Sequence, residues 1–553
     1  MKNLTRAGIV AIAATLLITG CSSTTGSAGT AAGASKGGTL TILTPSTKID
    51  LDPAKSQNLA ITTLGLIERR LTTWDIRAGK PATVVPDLAT TTGTPSDGGK
   101  TWTFTLKDGL KFADGSPITT ADIKYGVERS FADELSGGLS YHKSLLVGGA
   151  DYHGPYAGST LASIETPSAK SIVFHLTGAY GDWPWIASMP AFAPVPQAKD
   201  DPATYGQNPV ASGPYKVASN KQGTALTLTR NTYWSAKSDT VRVAGPDSVV
   251  FRMSQDPSTT AQSLISDAGD TKAAFGAAFL GAAQLAQVNR DPAAKARLAT
   301  SQAGPLSYLA LNTQRGALKN LDVRKAIEYA VDKKAYLIAS GGAAAGETAT
   351  TLITPGIAGR RAFDLYPAGA DGDVKKAKAL LAKAGQSSGL SLTLLVQNDA
   401  AFLAKAQAIQ QGVERAGITV TIAPEDVNSF YSDATATDAN YDLALYSWQP
   451  DFPSANSNIQ PLFASSEIGE GRNNVARYSN QEVDALIAKA TAEVDQKAAQ
   501  ALWAKADKRI MQDAPVVPLS YAKQSFLRGS NVKNFFVASF PAYPNYLTLS
   551  LAK

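Results

Sequence analysis

The residues best suited to contact a small solute lie at the end of one apolar stretch, YDLALYSWQPD, from Tyr441 to Asp451. An apolar run this short is typical of a strand buried on both faces, and Pro450 ends it because proline has no backbone N–H. Trp448 would supply an aromatic surface and Asp451 a carboxylate at the point where α/β domains usually bind ligands. The alternative is structural: Trp448 packs in the core, and Asp451 caps a helix or a turn.

The chain offers little for catalysis or for metal binding. It has three histidines, His142, His153 and His175, and none lies in an HExxH or similar metal-ligand spacing. His175 falls in an alternating strand from Ser171 to Leu176, a position that favours a structural imidazole. No phosphate-binding loop of the type GxxxxGK[ST] occurs. We therefore expect no catalytic residue, no metal site and no cofactor; hydrolysis by two carboxylates is the enzymatic alternative left open.

Length and charge narrow the class of protein further. A chain of 553 residues is too long for one core and predicts roughly three to four structural units. The formal charge is +6, and removal of residues 1–20 leaves 50 basic against 46 acidic residues, a net charge of +4. Because no basic cluster accompanies this weak positive charge, we expect no nucleic-acid partner.

The first forty residues predict export and anchoring. Lys2 and Arg6 precede an apolar run, residues 7–19, that is too short to span a bilayer but suits the apolar core of a secretory signal. The run ends at Cys21, the single cysteine of the chain, and LITGC resembles a bacterial lipobox, in which the cysteine is diacylated and becomes the new N-terminus. Two acyl chains anchor a protein stably. The alternative is that Cys21 is a small buried apolar residue.

Periodic patterns downstream predict alternating strands and helices, and hence βαβ units with a parallel sheet. Thr120, Asp322 and Asp373 are predicted N-caps of three helices, because each precedes an apolar face with helical spacing. The predicted strands include 39–43, 71–74, 102–106, 390–396 and 418–422, and the predicted helices include 61–71, 402–416 and two between Val483 and Pro515.

Several stretches, taken in order, carry a resemblance to one family. The densest is DGGKTWTFTLKDGLKFADGSPITTADIKYGVER, which ends at Arg129. It is followed by PVASGPY from Pro209, NTYW from Asn231, LALNTQRGALKNLDVRKAIEYAVD from Leu309, the segment 373–385, and finally YDL with Trp448 and Asp451. Together they resemble the family 5 extracytoplasmic solute-binding proteins, the peptide and nickel receptors of ATP-binding-cassette (ABC) importers.

The resemblance implies an α/β fold of the periplasmic-binding-protein type (type II, cluster C), with two lobes joined by two crossing strands and an additional inserted domain. The domains then read as follows: a signal peptide at 1–20, a lipidated flexible tether at 21–37, a discontinuous first lobe at 38–60, 189–300 and 515–553, the inserted domain at 61–188, and the second lobe at 301–514.

The resemblance also implies the function and the site. The protein would capture di- to oligopeptides in the cleft between its lobes and deliver them to the permease and ATPase subunits of an importer. Asp451 would bind the N-terminal ammonium of the peptide, and Trp448 and Tyr446 would flank it. Asn58 and Phe279 are the candidates on the first lobe.

The same resemblance leaves other ligands and roles open. A metal chelate, a sugar, an opine or haem could replace the peptide, and a sensor or signalling lipoprotein could use the same fold without transport. In each case we expect a monomer that Cys21 anchors by lipid to the extracytoplasmic face of a membrane, in the periplasm or at the cell surface.

Overall fold

Three main sheets organise the chain, and strands alternate with helices throughout, which confirms the predicted α/β class. The computed structural model describes residues 36–57, 60–369 and 371–552. The predicted signal peptide and Cys21 lie outside the described residues. Within the described part of the chain, no helix has the length and apolar content that crossing a bilayer requires.

The opening strand Thr39–Leu43, predicted from its alternation, lies in a five-stranded sheet. It pairs in parallel with Ser248–Arg252 on one side and with Ala274–Gly276 on the other. Ala225–Arg230 and Tyr215–Lys221 complete the sheet as antiparallel strands. Because Leu43 lies opposite Gly276 in parallel register, the loops that follow the two strands emerge at the same edge of the sheet.

The strand predicted within Tyr441–Asp451 runs over Leu443–Trp448, inside a six-stranded sheet. Its neighbours are the antiparallel strand Leu306–Leu311 and the parallel strand Leu390–Gln397, which in turn pairs in parallel with Ile418–Glu425. Two further strands, Val516–Ala522 and Gly346–Thr348, extend the other side of the sheet. The apolar run therefore forms a central strand of the sheet, since a neighbouring strand pairs with each of its two edges.

Two short strands connect the parts of the chain that hold these two sheets. Leu298–Thr300 precedes the first strand of the six-stranded sheet, and Ser525–Leu527 follows the last. They pair antiparallel with each other, as two connections that cross in opposite directions must. Val516–Ala522 hydrogen-bonds within the six-stranded sheet, so we propose that the second lobe extends to about residue 522 rather than 514. The other domain boundaries stay predictions.

Residues 61–188 contain their own antiparallel sheet and helices. The sheet has four strands, in the order Thr94–Ser96, Thr101–Thr105, Ser171–His175 and Ile164–Ser168. A separate hairpin joins Thr72–Asp75 to Thr83–Pro86. Within the described residues the α-helices are Thr63–Ile67, Thr120–Arg129, Tyr141–Leu145, Trp183–Ile186, Pro257–Ser266, Ala282–Arg290, Pro292–Lys295, Leu321–Ala330, Lys333–Ala339, Val374–Lys383, Ala400–Glu414, Val427–Thr435, Asn456–Phe463, Gln481–Ala492 and Gln496–Gln512.

Two of the three predicted N-caps are wrong by one or two residues. Thr119, not Thr120, precedes its helix, and its backbone N–H and hydroxyl both donate to Asp122 Oδ2. Asn320, not Asp322, caps the next, because its side-chain oxygen accepts a hydrogen bond from the Asp322 N–H. Asp373 caps its helix as predicted, accepting from the N–H of residue 376. Adjacent polar residues compete for a cap position, and the local backbone decides between them.

A buried ion network joins residues 69–87 to residues 239–242, which the predicted boundaries place in the inserted domain and the first lobe. Asp87 accepts hydrogen bonds from Arg69 Nε at 2.7 Å and from Arg242 Nη2 at 3.0 Å. Arg242 also pairs with Asp239 at 3.1 Å. All four side chains are at most 2% exposed. Buried charges are tolerated when each is paired and hydrogen-bonded, so this network fixes the relative position of the segments that carry it.

Candidate functional site

The central strand Leu443–Trp448 is followed by a loop that lies at the edge of the six-stranded sheet. Leu306 lies opposite Trp448 in the antiparallel register, so the strand is paired to its last residue. Pro450 has no backbone N–H, so it cannot continue the hydrogen-bonding pattern of the strand. The helix Asn456–Phe463 begins six residues later. The residues 449–451 therefore form a short, supported turn between a central strand and a helix.

Ser457, in the first turn of that helix, holds this turn in place. The indole Nε1 of Trp448 donates to the Ser457 carbonyl oxygen at 2.7 Å, and the Asp451 N–H donates to Ser457 Oγ at 2.9 Å. The N-cap position of the helix is Ala455. Asp451 therefore does not cap this helix, because its backbone rather than its carboxylate contacts the helix, and of the structural alternative only a role within the loop remains.

The Asp451 carboxylate is held by one hydroxyl and by no cation. Tyr141 Oη, from the inserted domain, donates to Asp451 Oδ2 at 2.5 Å. Among the described residues no basic side chain contributes to the electrostatics of this carboxylate. Burial raises the pKa of Asp451, and the Tyr141 hydrogen bond opposes that rise. A partly buried carboxylate without a counter-ion has unused capacity to accept hydrogen bonds from a cationic group.

A first cavity of about 570 Å³ opens beside Asp451. The two loops at the edge of the five-stranded sheet line it with residues 44–46 and 277–279, as their parallel register requires. Residues 449–451 close it from the second lobe, and Arg70, Trp74, Leu139 and residues 188–190 line it from the inserted domain and its junction with the first lobe. This volume is in the usual range for small-molecule sites.

A second cavity of about 930 Å³ adjoins the first, since Gln57, Leu139 and Asp451 line both. Trp448 and the helices Asn456–Phe463 and Gln481–Ala492 contribute to one side, and residues 138–145 and 177–180 contribute to the other. The charged residues in its lining are Asp451, Glu467 and Asp484, all of them acidic. The two cavities together form a cleft whose walls come from both lobes and from the inserted domain.

The structure brings three of the five predicted ligand-binding residues to this cleft. Asp451 lines both cavities, Trp448 lines the second, and Phe279, which is 55% exposed, lines the first. Tyr446 does not line either cavity. Asn58 lies outside the described residues, although its neighbour Gln57 lines both cavities.

Tyr446 lies instead in an aromatic cluster of the second lobe. Its ring stacks on Phe430 with centroids 5.9 Å apart and contacts Tyr308 and Tyr431 at 5.8 and 5.9 Å. Side chains alternate along a strand, so Tyr446 and Trp448 share a face, but only Trp448 is at the open end of the strand. The hydroxyl of Tyr446 donates to Asn473, which lines the second cavity, so any influence on a ligand would be indirect.

The inserted domain contacts the second lobe close to the cleft. Ser454 Oγ donates to Asp182 Oδ2 at 2.7 Å, and Asn456 Nδ2 donates to Tyr180 Oη at 3.1 Å. Tyr141 makes a further such contact, through Asp451. Sequence reasoning missed Tyr141, Gln57 and Arg70, because none lies in a motif or in a periodic position that marks it. In the described part of the chain, no group of three or more His, Cys, Asp or Glu side chains is placed to hold a metal ion.

Comparison with known families gives one match over most of the chain. Residues 83–470 match the model described as bacterial extracellular solute-binding proteins, family 5 Middle. The matched part includes the strand Leu443–Trp448, the turn with Asp451 and most of the inserted domain.

Individual relatives agree with this match. The dipeptide-binding protein DppE of Bacillus subtilis is 25% identical over 473 residues, which is 83% of this chain and 82% of the relative. The glutathione-binding protein GsiB of Salmonella paratyphi A is 26% identical over 455 residues, 80% of this chain and 82% of the relative. Among solved structures, the clavulanic acid biosynthesis oligopeptide binding protein 2 superposes with a TM-score of 0.85 and 31% identity, covering 94% of this chain and 96% of that protein.

Proposed function

Because the chain belongs to the family 5 bacterial extracellular solute-binding proteins, with the two-lobed fold of that family, we propose that it captures peptides in its cleft for an ABC importer. Relatives named for a dipeptide, for glutathione and for oligopeptides support a peptide ligand. In this role the protein presents the bound peptide to the permease subunits, and the ATPase subunits drive import.

The observation that carries the proposal is the environment of the Asp451 carboxylate. Its carboxylate is partly buried, it lines both cavities, and its described side-chain partner is one tyrosine hydroxyl. The N-terminal ammonium of a peptide would supply the missing positive charge and three donors. Such a charge-assisted hydrogen bond contributes about 1.5–3 kcal/mol. Asp451 is therefore the proposed amine anchor, with Trp448 as a wall of the second cavity and Phe279 as a wall of the first.

Peptide binding predicts a rise in thermal stability on ligand addition. We expect some members of a panel of di- to octapeptides to raise the melting temperature, because a ligand at about 100 times its dissociation constant adds roughly 2.7 kcal/mol to the stability of the folded state. The measurement is differential scanning fluorimetry, confirmed by titration calorimetry of the best peptides.

The same panel contains its own controls. N-acetylated versions of the best peptides should give a smaller shift, since they carry no ammonium for Asp451. Metal chelates, sugars, opines and haem serve as the competing ligand classes. If one of these raises the melting temperature while no peptide does, the peptide proposal is wrong.

We further propose that the mature protein is a lipoprotein. The charged start, the short apolar run and the single cysteine at its end support this proposal. Diacylation of Cys21 would hold the folded part at the extracytoplasmic face of a membrane, on the tether formed by residues 21–37. A monomeric functional unit is part of the same proposal.

Substitution of Cys21 tests the anchor. In cells that express the full-length chain, we expect the wild type in the membrane fraction and the Cys21→Ala variant in the soluble or secreted fraction. Metabolic labelling with a fatty acid should mark only the wild type. A Cys21→Ala variant that still sediments with membranes would contradict lipid anchoring, whatever the protein binds.

A further inference from the structure

Residues 180–182, which the predicted boundaries place in the inserted domain, contact two segments of the second lobe. The first segment begins the helix after the central strand, and it donates hydrogen bonds to residues 180–182 from Ser454 and Asn456. The second segment, residues 491–496, lies where the last two helices of the chain meet. We call the contact of residues 180–182 with these two segments the latch.

Gly181 lies at the centre of the latch, in direct contact with the backbone of the second lobe. Its N–H donates to the Thr491 carbonyl oxygen at 2.7 Å, and its carbonyl oxygen accepts from Gln496 Nε2 at 3.2 Å. A Cβ atom at this position would lie 1.8 Å from the Glu493 carbonyl oxygen, far inside van der Waals contact. Gly181 does not have the positive φ that favours glycine. The close approach of the second lobe, rather than the local backbone conformation, therefore requires a glycine here.

Asp182 forms the polar part of the latch and is 5% exposed. Burial raises the pKa of its carboxyl, and hydrogen bonds from Ser454, Asn456 and Gln496 oppose that rise. Each of these donors belongs to the second lobe. Because a buried carboxyl needs hydrogen bonds in place of those it made to water, Asp182 depends on the second lobe for its partners. The latch is thus a satisfied contact that protein atoms make on both sides.

The latch must break when the lobes separate. The chain passes between the lobes at the paired strands Leu298–Thr300 and Ser525–Leu527, whereas residues 61–188 are joined at both ends to segments assigned to the first lobe. The buried network around Asp87 also holds residues 69–87 against residues 239–242. A hinge motion at the two connecting strands would therefore move the inserted domain with the first lobe and away from residues 491–496.

The latch also borders the second cavity. Residues 177–180 line this cavity from the inserted domain, and Ile487, Ala488 and Thr491 line it from the second lobe. Residues 180 and 491 thus belong both to the latch and to the cavity wall. When the latch is formed, the wall of the second cavity is continuous at this point, and when the latch breaks, the cavity opens there to solvent.

We infer that the latch holds the lobes together whether or not a ligand bridges them, and that it sets the rates at which solutes enter and leave the cleft. The inference concerns any solute of the cleft, so it does not depend on the peptide proposal. The latch stabilises the closed state without a contribution from ligand atoms, and it therefore shifts the population toward that state before binding. Since the cleft must open for entry and for exit, the latch slows both.

A distance measurement between the inserted domain and the second lobe tests this inference. Cys21 is the single cysteine of the chain, so the full-length Cys21→Ala protein accepts two specific spin labels. Asp133→Cys, at a side chain that is 90% exposed, labels the inserted domain, and Lys508→Cys, at an exposed position, labels the second lobe. Double electron–electron resonance without added ligand should show a population at the distance of the latched form.

Alanine at position 181 should break the latch by a steric clash. We expect Gly181→Ala to shift most of the distance distribution to longer values, because its methyl group cannot fit against the Glu493 carbonyl oxygen. Gly178→Ala is the matched control for this distance measurement. Gly178 lies three residues earlier, has no positive φ, and has no atom within 4 Å of the added Cβ. Its distance distribution should equal that of the otherwise unchanged labelled protein.

A second variant guards against a folding defect in Gly181→Ala. Ser454→Ala removes one donor to Asp182 and adds no atom, so we expect it to shift part of the distribution in the same direction. Circular dichroism and the melting temperature show whether each variant is folded. If Gly181→Ala does not fold, the distributions of Ser454→Ala and of the protein without a latch substitution decide the question.

The outcomes separate this inference from the proposed function. It is overturned if the protein without a latch substitution shows no latched population in the absence of ligand, or if the folded latch variants keep its distribution. If trialanine binds, we expect Gly181→Ala to bind it and release it roughly 3- to 10-fold faster, with a smaller change in the dissociation constant. Faster association is not expected from a damaged site. If no peptide binds, the peptide proposal fails, and the distance measurement still decides the role of the latch.

Discussion

Asp451→Asn is expected to weaken the binding of peptides with a free N-terminus by about 10- to 150-fold, which corresponds to the 1.5–3 kcal/mol of a charge-assisted hydrogen bond. The amide is nearly isosteric, so the cavity, the Ser457 hydrogen bond to the backbone and the Trp448 contact remain. Only the negative charge is lost. Affinity for N-acetylated peptides should therefore change little, and the ratio of the two affinities is the quantity to measure.

The pH dependence of peptide affinity is a second test of the Asp451 carboxylate. Burial raises the pKa of Asp451, and only the ionised carboxylate pairs with an ammonium group. Peptide affinity of the wild type should therefore begin to fall at a higher pH than an ordinary aspartate would predict, and Asp451→Asn should lack this dependence. Asp438→Asn, an exposed aspartate shortly before the central strand, is the matched control. An Asp451→Asn variant with the wild-type preference for free amines would remove the residue from the site.

The elements that position the site could be predicted from the sequence because they depend on local patterns. The run Leu443–Trp448 is apolar, short and ended by Pro450, and these features predict a buried strand that stops there. The proposed ligand contact at its end depends on the family resemblance as well. The strand Thr39–Leu43 and the helix that Asp373 caps were predicted in the same way. The ordered motifs then predicted the two-lobed fold.

Contacts between distant segments could not be predicted in this way. Tyr141 and Asp451 are 310 residues apart, and nothing in either neighbourhood indicates the other. Arg69 and Arg70 are adjacent and chemically identical, but one is fully paired and the other is not. Tyr446 and Trp448 lie on the same face of one strand, and the packing of Phe430 and Tyr431 decides which of them is enclosed. Tertiary packing, rather than residue type or spacing, assigns these roles.

Asp87→Ala should have the largest effect on folding. Asp87 is the shared partner of Arg69 and Arg242, and it also accepts from the Arg70 N–H at 3.1 Å. Its loss leaves two buried arginines with Asp239 as their single remaining carboxylate, at 3.6 and 3.1 Å. Removal of one member of a buried ion pair typically costs about 3–5 kcal/mol because the remaining charge stays desolvated. We expect a loss of this size, or failure to fold, in urea denaturation.

A surface ion pair supplies the comparison that isolates burial as the cause. Asp270 pairs with Arg252 at 3.3 Å, and its side chain is 83% exposed. Asp270→Ala should therefore cost at most about 1 kcal/mol, since exposed pairs contribute little. The midpoint and the slope of each urea transition should be compared, because a changed slope would indicate a change in the number of unfolding steps. If Asp87→Ala lost no more stability than Asp270→Ala, Asp239 alone would suffice for both arginines, and the junction of the first lobe with the inserted domain would not depend on this network.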